Sequence, residues 1–284
     1  MLFKHYILTR FNLIYEPTQK NEVDYVNSNE YLSARFALFE NYCFPSVRKQ
    51  INNNFTWLVL FNDKLPEKWK CKLEQYKQQL PNFEARFISA EEIKSLSWHA
   101  TLTRLVVEEL NDSHSNAEFI LTTRLDNDDA IHLSFVDSVQ KYFLDYRQEA
   151  IINYIDGLQY ISQHNILKNI NFPNSHFCTL IEKNTKNVKT ALGFSHSELP
   201  NSFEKVVLKT KKRMWIEVIH STNVINTASF QPCNLFNDLF FIGFKYRNLE
   251  EFGIKQNIVR FNFGIWKVFF EWFFRKCKEK IVGK

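Results

Sequence analysis

Apolar runs of strand length alternate with amphipathic stretches of helix length through the first half of the chain. Residues 5–11 (HYILTRF), 55–61 (FTWLVLF) and 118–125 (EFILTTRL) are largely apolar or β-branched, and 83–88 (FEARFI) is a shorter run. Such runs predict strands covered on both faces. Between them, Tyr31, Arg35, Leu38, Phe39 and Tyr42 recur at helical spacing behind Ser28-Asn29, which predicts a capped helix. Pro66 stands at a helix start before residues 67–80, Ser89 and Glu92 form a capping-box pattern, and another helix is predicted around 101–110. Beyond these, the pattern predicts a helix over 133–146 and strands over 150–155, 177–182 and 215–219.

Alternating strands and helices of these lengths imply an α/β fold with a parallel, helix-covered sheet, because parallel strands need crossover connections. Ligands of such sheets sit beyond the C-terminal strand ends. That rule places Thr9 and Arg10, Asp63, and the stretch from Arg124 to Asp129 on one rim. The predicted organisation is one domain over residues 1–235 and a C-terminal extension over 236–284.

Composition narrows the chemistry. With 284 residues and 45% hydrophobic content, the chain can bury a full-sized core. All six glycines fall at or after Gly157, which excludes a G-x-G-x-x-G turn or a P-loop from the first half. A phosphate bound there must be held by side chains, helix N-termini or a metal. The formal charge of +5 is mild, and the basic stretch of Lys205, Lys209, Lys211, Lys212 and Arg213 reads as a solvated face, so no nucleic-acid partner is expected. Five cysteines without a C-x-x-C pair point away from zinc ribbons and disulfide frameworks. With no signal-peptide pattern and no apolar span of about 18 residues, a cytoplasmic location is expected.

The tail is distinctive. Phe263, Trp266, Phe269, Phe270, Trp272, Phe273 and Phe274 precede Arg275, Lys276, Lys278 and Lys280. This predicts an amphipathic helix, lying either on the anionic inner face of a membrane or against protein, on its own domain or a second subunit.

Leu125-Asp126-Asn127-Asp128-Asp129 carries the strongest chemical signal. Three carboxylates within four residues repel one another unless a cation compensates them, and oxygen donors at this density suit Mg²⁺ or Mn²⁺. The competing reading is an acidic turn capping the next helix. An EF-hand is excluded, because its sixth and twelfth positions would be Ile131 and Asp137.

The segments TRF, FTWLVLFND, TTRLDNDDA and WIEVIHSTNVIN together resemble the bacterial rhamnosyltransferase family, which is similar to glycosyltransferases of the GT-A type. The resemblance spans most of residues 5–230. It implies a GT-A-like, Rossmann-like sheet with helices on both faces, a nucleoside-diphosphate-sugar donor, a glycan or lipid-linked acceptor and a D-x-D metal site. In that role Asp126, Asp128 and Asp129 are the candidate ligands, and His220 resembles the distant histidine that completes the metal shell. Thr9, Arg10, Asp63, Arg104 and Arg124 are candidates for holding the nucleotide and its phosphates. An inverting enzyme also needs a carboxylate base, for which Glu198 and then Asp156 are the candidates. Two other readings fit the same acidic cluster: a metal-dependent phosphoryl hydrolase or nucleotidyltransferase, and a non-catalytic membrane-peripheral adaptor.

Overall fold

A computed structural model describes residues 2–14, 20–112, 116–164, 166–173, 175–185, 187–194, 203–208, 210, 212–220, 249–254 and 274. Along the chain these form β1 (Phe3–Arg10), α1 (Lys20–Val26), α2 (Asn29–Leu38), a π-helical turn (Phe39–Cys43), α3 (Phe44–Arg48), β2 (Thr56–Asn62), α4 (Glu67–Gln79), β3 (Phe83–Ile88), α5 (Ala90–Leu96), α6 (Trp98–Asp112) and β4 (Phe119–Arg124). There follow β5 (Ala130–Ile131), α7 (Phe135–Tyr146), β6 (Ala150–Asn153), β7 (Asp156–Ile161), β8 (Ile166–Asn171), β9 (Cys178–Lys183), β10 (Glu204–Val207) and β11 (Trp215–Ile219).

Seven strands form the main sheet in the order β10-β6-β9-β4-β1-β2-β3. All neighbours pair in parallel except β9, which is antiparallel to both β4 and β6. Strand alternation divides the core. Ile7, Trp57, Val59, Phe61 and Leu121 pack with residues of α2, α4 and α7 on one face. Tyr6, Leu8, Leu58, Leu60 and Ile120 pack with residues of α5 and α6 on the other. The predicted mostly parallel sheet with helices on both faces is therefore what the chain forms. The Ser28 and Ser89 caps are present, each side chain accepting the backbone N–H three residues on.

A second sheet, in the order β5-β11-β7-β8, stands beside the first. The pattern predicts one strand running into Asp156. Instead β6 ends at Asn153 and the chain crosses over, so Asp156 opens β7. The crossing is tied by the Trp215 indole, which donates to the Tyr154 carbonyl at 2.5 Å and stacks on Phe177. Gly157 is required here, since a Cβ would fall inside the Trp215 ring. Residues 249–254, within the predicted extension, place Leu249, Phe252 and Ile254 in the same apolar cluster as Leu158, Ile216 and Val218. Among the described residues no helix is long and apolar enough to cross a membrane. The predicted tail helix lies outside the described residues, apart from Phe274.

A buried polar chain links the sheet to α7. The Gln140 amide donates to His5 Nδ1 at 3.1 Å, which fixes the proton of the neutral ring on Nε2, facing Thr123 Oγ1 at 2.8 Å. Thr123 in turn meets Thr179 at 2.7 Å. Burial pushes the His5 imidazole down from 6.5 to about 3. The folded state therefore binds fewer protons than the unfolded chain between those values, and stability falls as pH drops through that window. One buried histidine contributes a slope of about 1.4 kcal/mol per pH unit. Urea melts between pH 6.5 and 4 should show a shallower acid slope, by about that amount, for His5→Gln. An unchanged slope would mean that His5 does not titrate this way.

Candidate active site

The acidic loop follows β4, the central parallel strand, and both sheets converge on it. Asn127 anchors it: its amide donates to the carbonyls of Arg10 and Phe11 at 3.0 and 2.7 Å, tying the loop to the end of β1. The three aspartates then separate into distinct environments.

Asp126 faces Arg124, whose Nε and Nη2 donate at 3.4 and 3.3 Å, and Arg10, whose Nη2 lies 3.7 Å away. Burial alone would raise its pKa, but Arg124, Arg10 and His176 outweigh burial and hold the carboxyl below the usual carboxylate range. Asp128 accepts from Arg35 on α2 at 2.8 Å, and the same Oδ2 lies 3.0 Å from His220 Nε2 at the end of β11. Asp129 is buried. Its Oδ1 accepts the Val218 N–H of β11 at 2.8 Å, and its Oδ2 lies 3.0 Å from His176 Nε2. Burial, together with the charges of Asp128, Asp126 and Glu217, raises the Asp129 carboxyl well above its ordinary value. Burial lowers the His176 imidazole.

Asp126, Asp129 and His176 each offer a ligand atom, and these atoms lie within 4.8 Å of one another. Two carboxylates and an imidazole fit a divalent ion such as Mn²⁺ or Mg²⁺, and Asp128 with His220 forms a second carboxylate–imidazole pair beside them. The expected set of Asp126, Asp128, Asp129 and His220 is thus gathered at one place but divided between two pairs. His176 is the member that sequence reasoning misses. It precedes β9, and β9 runs antiparallel, so its N-terminal end meets the C-terminal rim of β4. No local motif marks it, since only the strand pairing brings it there.

The other candidates divide. Arg10 and Arg124 stand at the loop. Thr9 is fully buried and its hydroxyl accepts the Trp57 indole N–H at 3.0 Å, so it supports the strand from within the core. Asp63 is exposed just beyond β2, its N–H donating to the Ile88 carbonyl at 3.1 Å. Arg104 lies on α6, where Glu92 and Glu108 engage it. Asp156 sits at the end of β7 remote from His220, next to Arg213 at 3.7 Å and Asn171 at 3.1 Å. Glu198 lies outside the described residues.

Removing the His176 ring leaves Asp129 Oδ2 buried without this partner, a loss of about 1–3 kcal/mol. In EDTA, His176→Ala should therefore melt at a clearly lower temperature than the parent. A melting temperature equal to the parent's would show that the two groups are not in contact.

No curated protein matches the sequence. Among solved structures, residues 1–349 of S. aureus TarS in complex with UDP align at 12% identity and a TM-score of 0.41, covering 77% of this chain and 61% of that one. The same TarS fragment solved without UDP in its description aligns at 11% identity and a TM-score of 0.40, over 76% and 60% of the two chains. A protein from Desulfovibrio desulfuricans G20 described as a putative nucleotide-diphospho-sugar transferase aligns at 10% identity and a TM-score of 0.30, over 68% and 66%. This chain thus spans about 61% of the TarS fragment. A family model described as "Putative rhamnosyl transferase" matches residues 3–231, which hold both sheets, the acidic loop and both histidines. The chain belongs to that rhamnosyl transferase family.

Proposed function

We propose that this chain is a metal-dependent glycosyltransferase. It moves a sugar, rhamnose by the family's description, from a nucleoside-diphosphate sugar to a glycan or lipid-linked acceptor. The observation that carries the reading is the cluster of Asp126, Asp129 and His176 at the end of the central strand, in a chain of this family.

Cleaving a nucleoside-diphosphate sugar leaves negative charge on the departing diphosphate. A divalent ion held by Asp126, Asp129 and His176, with Asp128 and His220 alongside, would supply Lewis-acid compensation of that charge. Arg10 and Arg124 bring two guanidinium groups to the same rim, where they can exchange Asp126 for phosphate oxygens. Arg35 holds Asp128 from α2, so the loop keeps its shape while its carboxylates face one another. The absence of glycine before Gly157 agrees with phosphate held by side chains and metal. Asp63, just beyond β2, and Arg104, on α6 between Glu92 and Glu108, remain candidates for donor contacts. The aromatic and basic residues of 261–284 suit a protein working beside an anionic membrane, where lipid-linked acceptors are presented.

Thermal melts with UDP, dTDP, GDP and CMP, each with Mn²⁺, Mg²⁺ or EDTA, test this reading. A ligand that binds only the folded chain raises the melting temperature. One nucleotide should give an upward shift that needs the divalent ion and is lost in Asp128→Asn. A shift of equal size in EDTA, or none with any nucleotide, would contradict the reading.

A further inference from the structure

The second sheet carries a buried carboxylate that the metal-site reading does not use. Strand β11 alternates. Ile216 and Val218 point into the apolar cluster shared with Leu158, Tyr160 and Leu167, whereas Trp215 belongs to the main core. Glu217 therefore shares the Trp215 side of the strand, which faces the main sheet. On that side Phe177, next to His176, stacks on Trp215 at 4.8 Å. The flanking backbone N–H of Val218 is the one that holds Asp129.

Glu217 is only 8% exposed, and its hydrogen-bond partner among the described residues is neutral, the Gln159 amide at 2.7 Å. The loop carboxylates Asp126 and Asp128 differ: Asp126 has Arg124 and Arg10, and Asp128 has Arg35. Burying a carboxylate without a cation is costly, and folds rarely retain one for stability. Gln159, paired in register with Glu217, is 2% exposed, and its Oε1 has no hydrogen-bond partner. An amide oxygen left orphaned beside a carboxylate forms two adjacent acceptors. A hydroxyl-bearing ligand satisfies such a pair, donating one O–H to each oxygen.

We propose that Glu217 is the base that takes the proton of the acceptor hydroxyl, with Gln159 as the residue that orients the acceptor through a neighbouring hydroxyl. This rests on the sugar-transfer reading above. As the acceptor oxygen bonds to the anomeric carbon, its proton passes to Glu217. The bond from that carbon to the diphosphate oxygen breaks, and its electron pair leaves with the diphosphate. Glu217 then returns the proton to water. Attack opposite the leaving group inverts the anomeric configuration. Glu217 is thereby preferred to Asp156, which is occupied by Arg213 and Asn171 at the far end of β7.

The test uses the full chain, a panel of UDP-, dTDP- and GDP-sugars, and p-nitrophenyl glycosides as acceptor probes. Release of nucleoside diphosphate gives the rate, and NMR gives the product anomer. Glu217→Gln should keep the metal-dependent nucleotide shift and the donor KM while kcat falls about 10²- to 10⁴-fold, the usual range for losing a general base. Glu217→Asp should recover part of that loss, and the wild-type product should be inverted. Three results would overturn the assignment: a Glu217→Gln rate within threefold of wild type, a product of retained configuration, or a variant whose metal-dependent nucleotide shift is gone, which would make Glu217 part of the cation site. A wild-type chain with no nucleotide shift removes the sugar-transfer reading first, and this assignment with it.

Discussion

The Asp129 carboxylate is the joint on which this architecture turns. One oxygen accepts a backbone N–H from β11 of the second sheet, and the other meets the imidazole that leads into β9 of the first. A buried carboxylate satisfied from two sheets at once fixes their approach more firmly than apolar packing, which tolerates sliding. Asn127 does the same for β1 through two backbone carbonyls. The loop between them is consequently held at both ends, and Asp126 and Asp128 are presented from a rigid frame. Chemistry that needs carboxylates placed to fractions of an ångström favours such a frame over a mobile loop.

Charge explains why the frame is stable before any ligand arrives. Three aspartates in four residues are met by Arg124, Arg10 and Arg35 and by two histidines, drawn from five separate parts of the chain. The three guanidinium groups also suit a diphosphate, so on the proposed reading an arriving anion can exchange partners with the loop instead of meeting an empty, repelling site. The π-helical turn contributes as well. It joins α2, which carries Arg35, to α3, whose Ser46 hydroxyl accepts the Ile131 N–H at 3.3 Å, so a single helical segment contacts the loop at Asp128 and the short strand that follows it. Such turns are frequent where a helix serves a site.

Much of this was legible in the residues. Strands buried on both faces announce themselves as apolar runs, and the rim rule brings Arg10, Arg124 and the aspartates together, while His220 enters through the family resemblance. What local pattern cannot show is pairing between distant strands. His176 reaches the site because β9 inserts antiparallel between β4 and β6, a choice made by the whole sheet. Thr9 is on the right strand end but on its inward side, where Trp57 takes its hydroxyl. Asp156 follows an apolar run that reads as one strand, yet the chain changes sheets at Tyr154–Ile155 and carries Asp156 to the far end of β7. Arg104 is paired with Glu108 four residues on, which the sequence shows, and with Glu92 on the preceding helix, which only the packing of α5 on α6 shows.

Asp126, Asp129 and His176 are proposed to hold a divalent ion. Pulsed electron paramagnetic resonance of Mn²⁺ bound to the full chain with the nucleotide that shifts its melting temperature tests it most directly. Nitrogen modulation from a coordinated imidazole is expected, and it should disappear in His176→Ala. Bound Mn²⁺ with no imidazole nitrogen coupling, or with coupling unchanged in that variant, would contradict it.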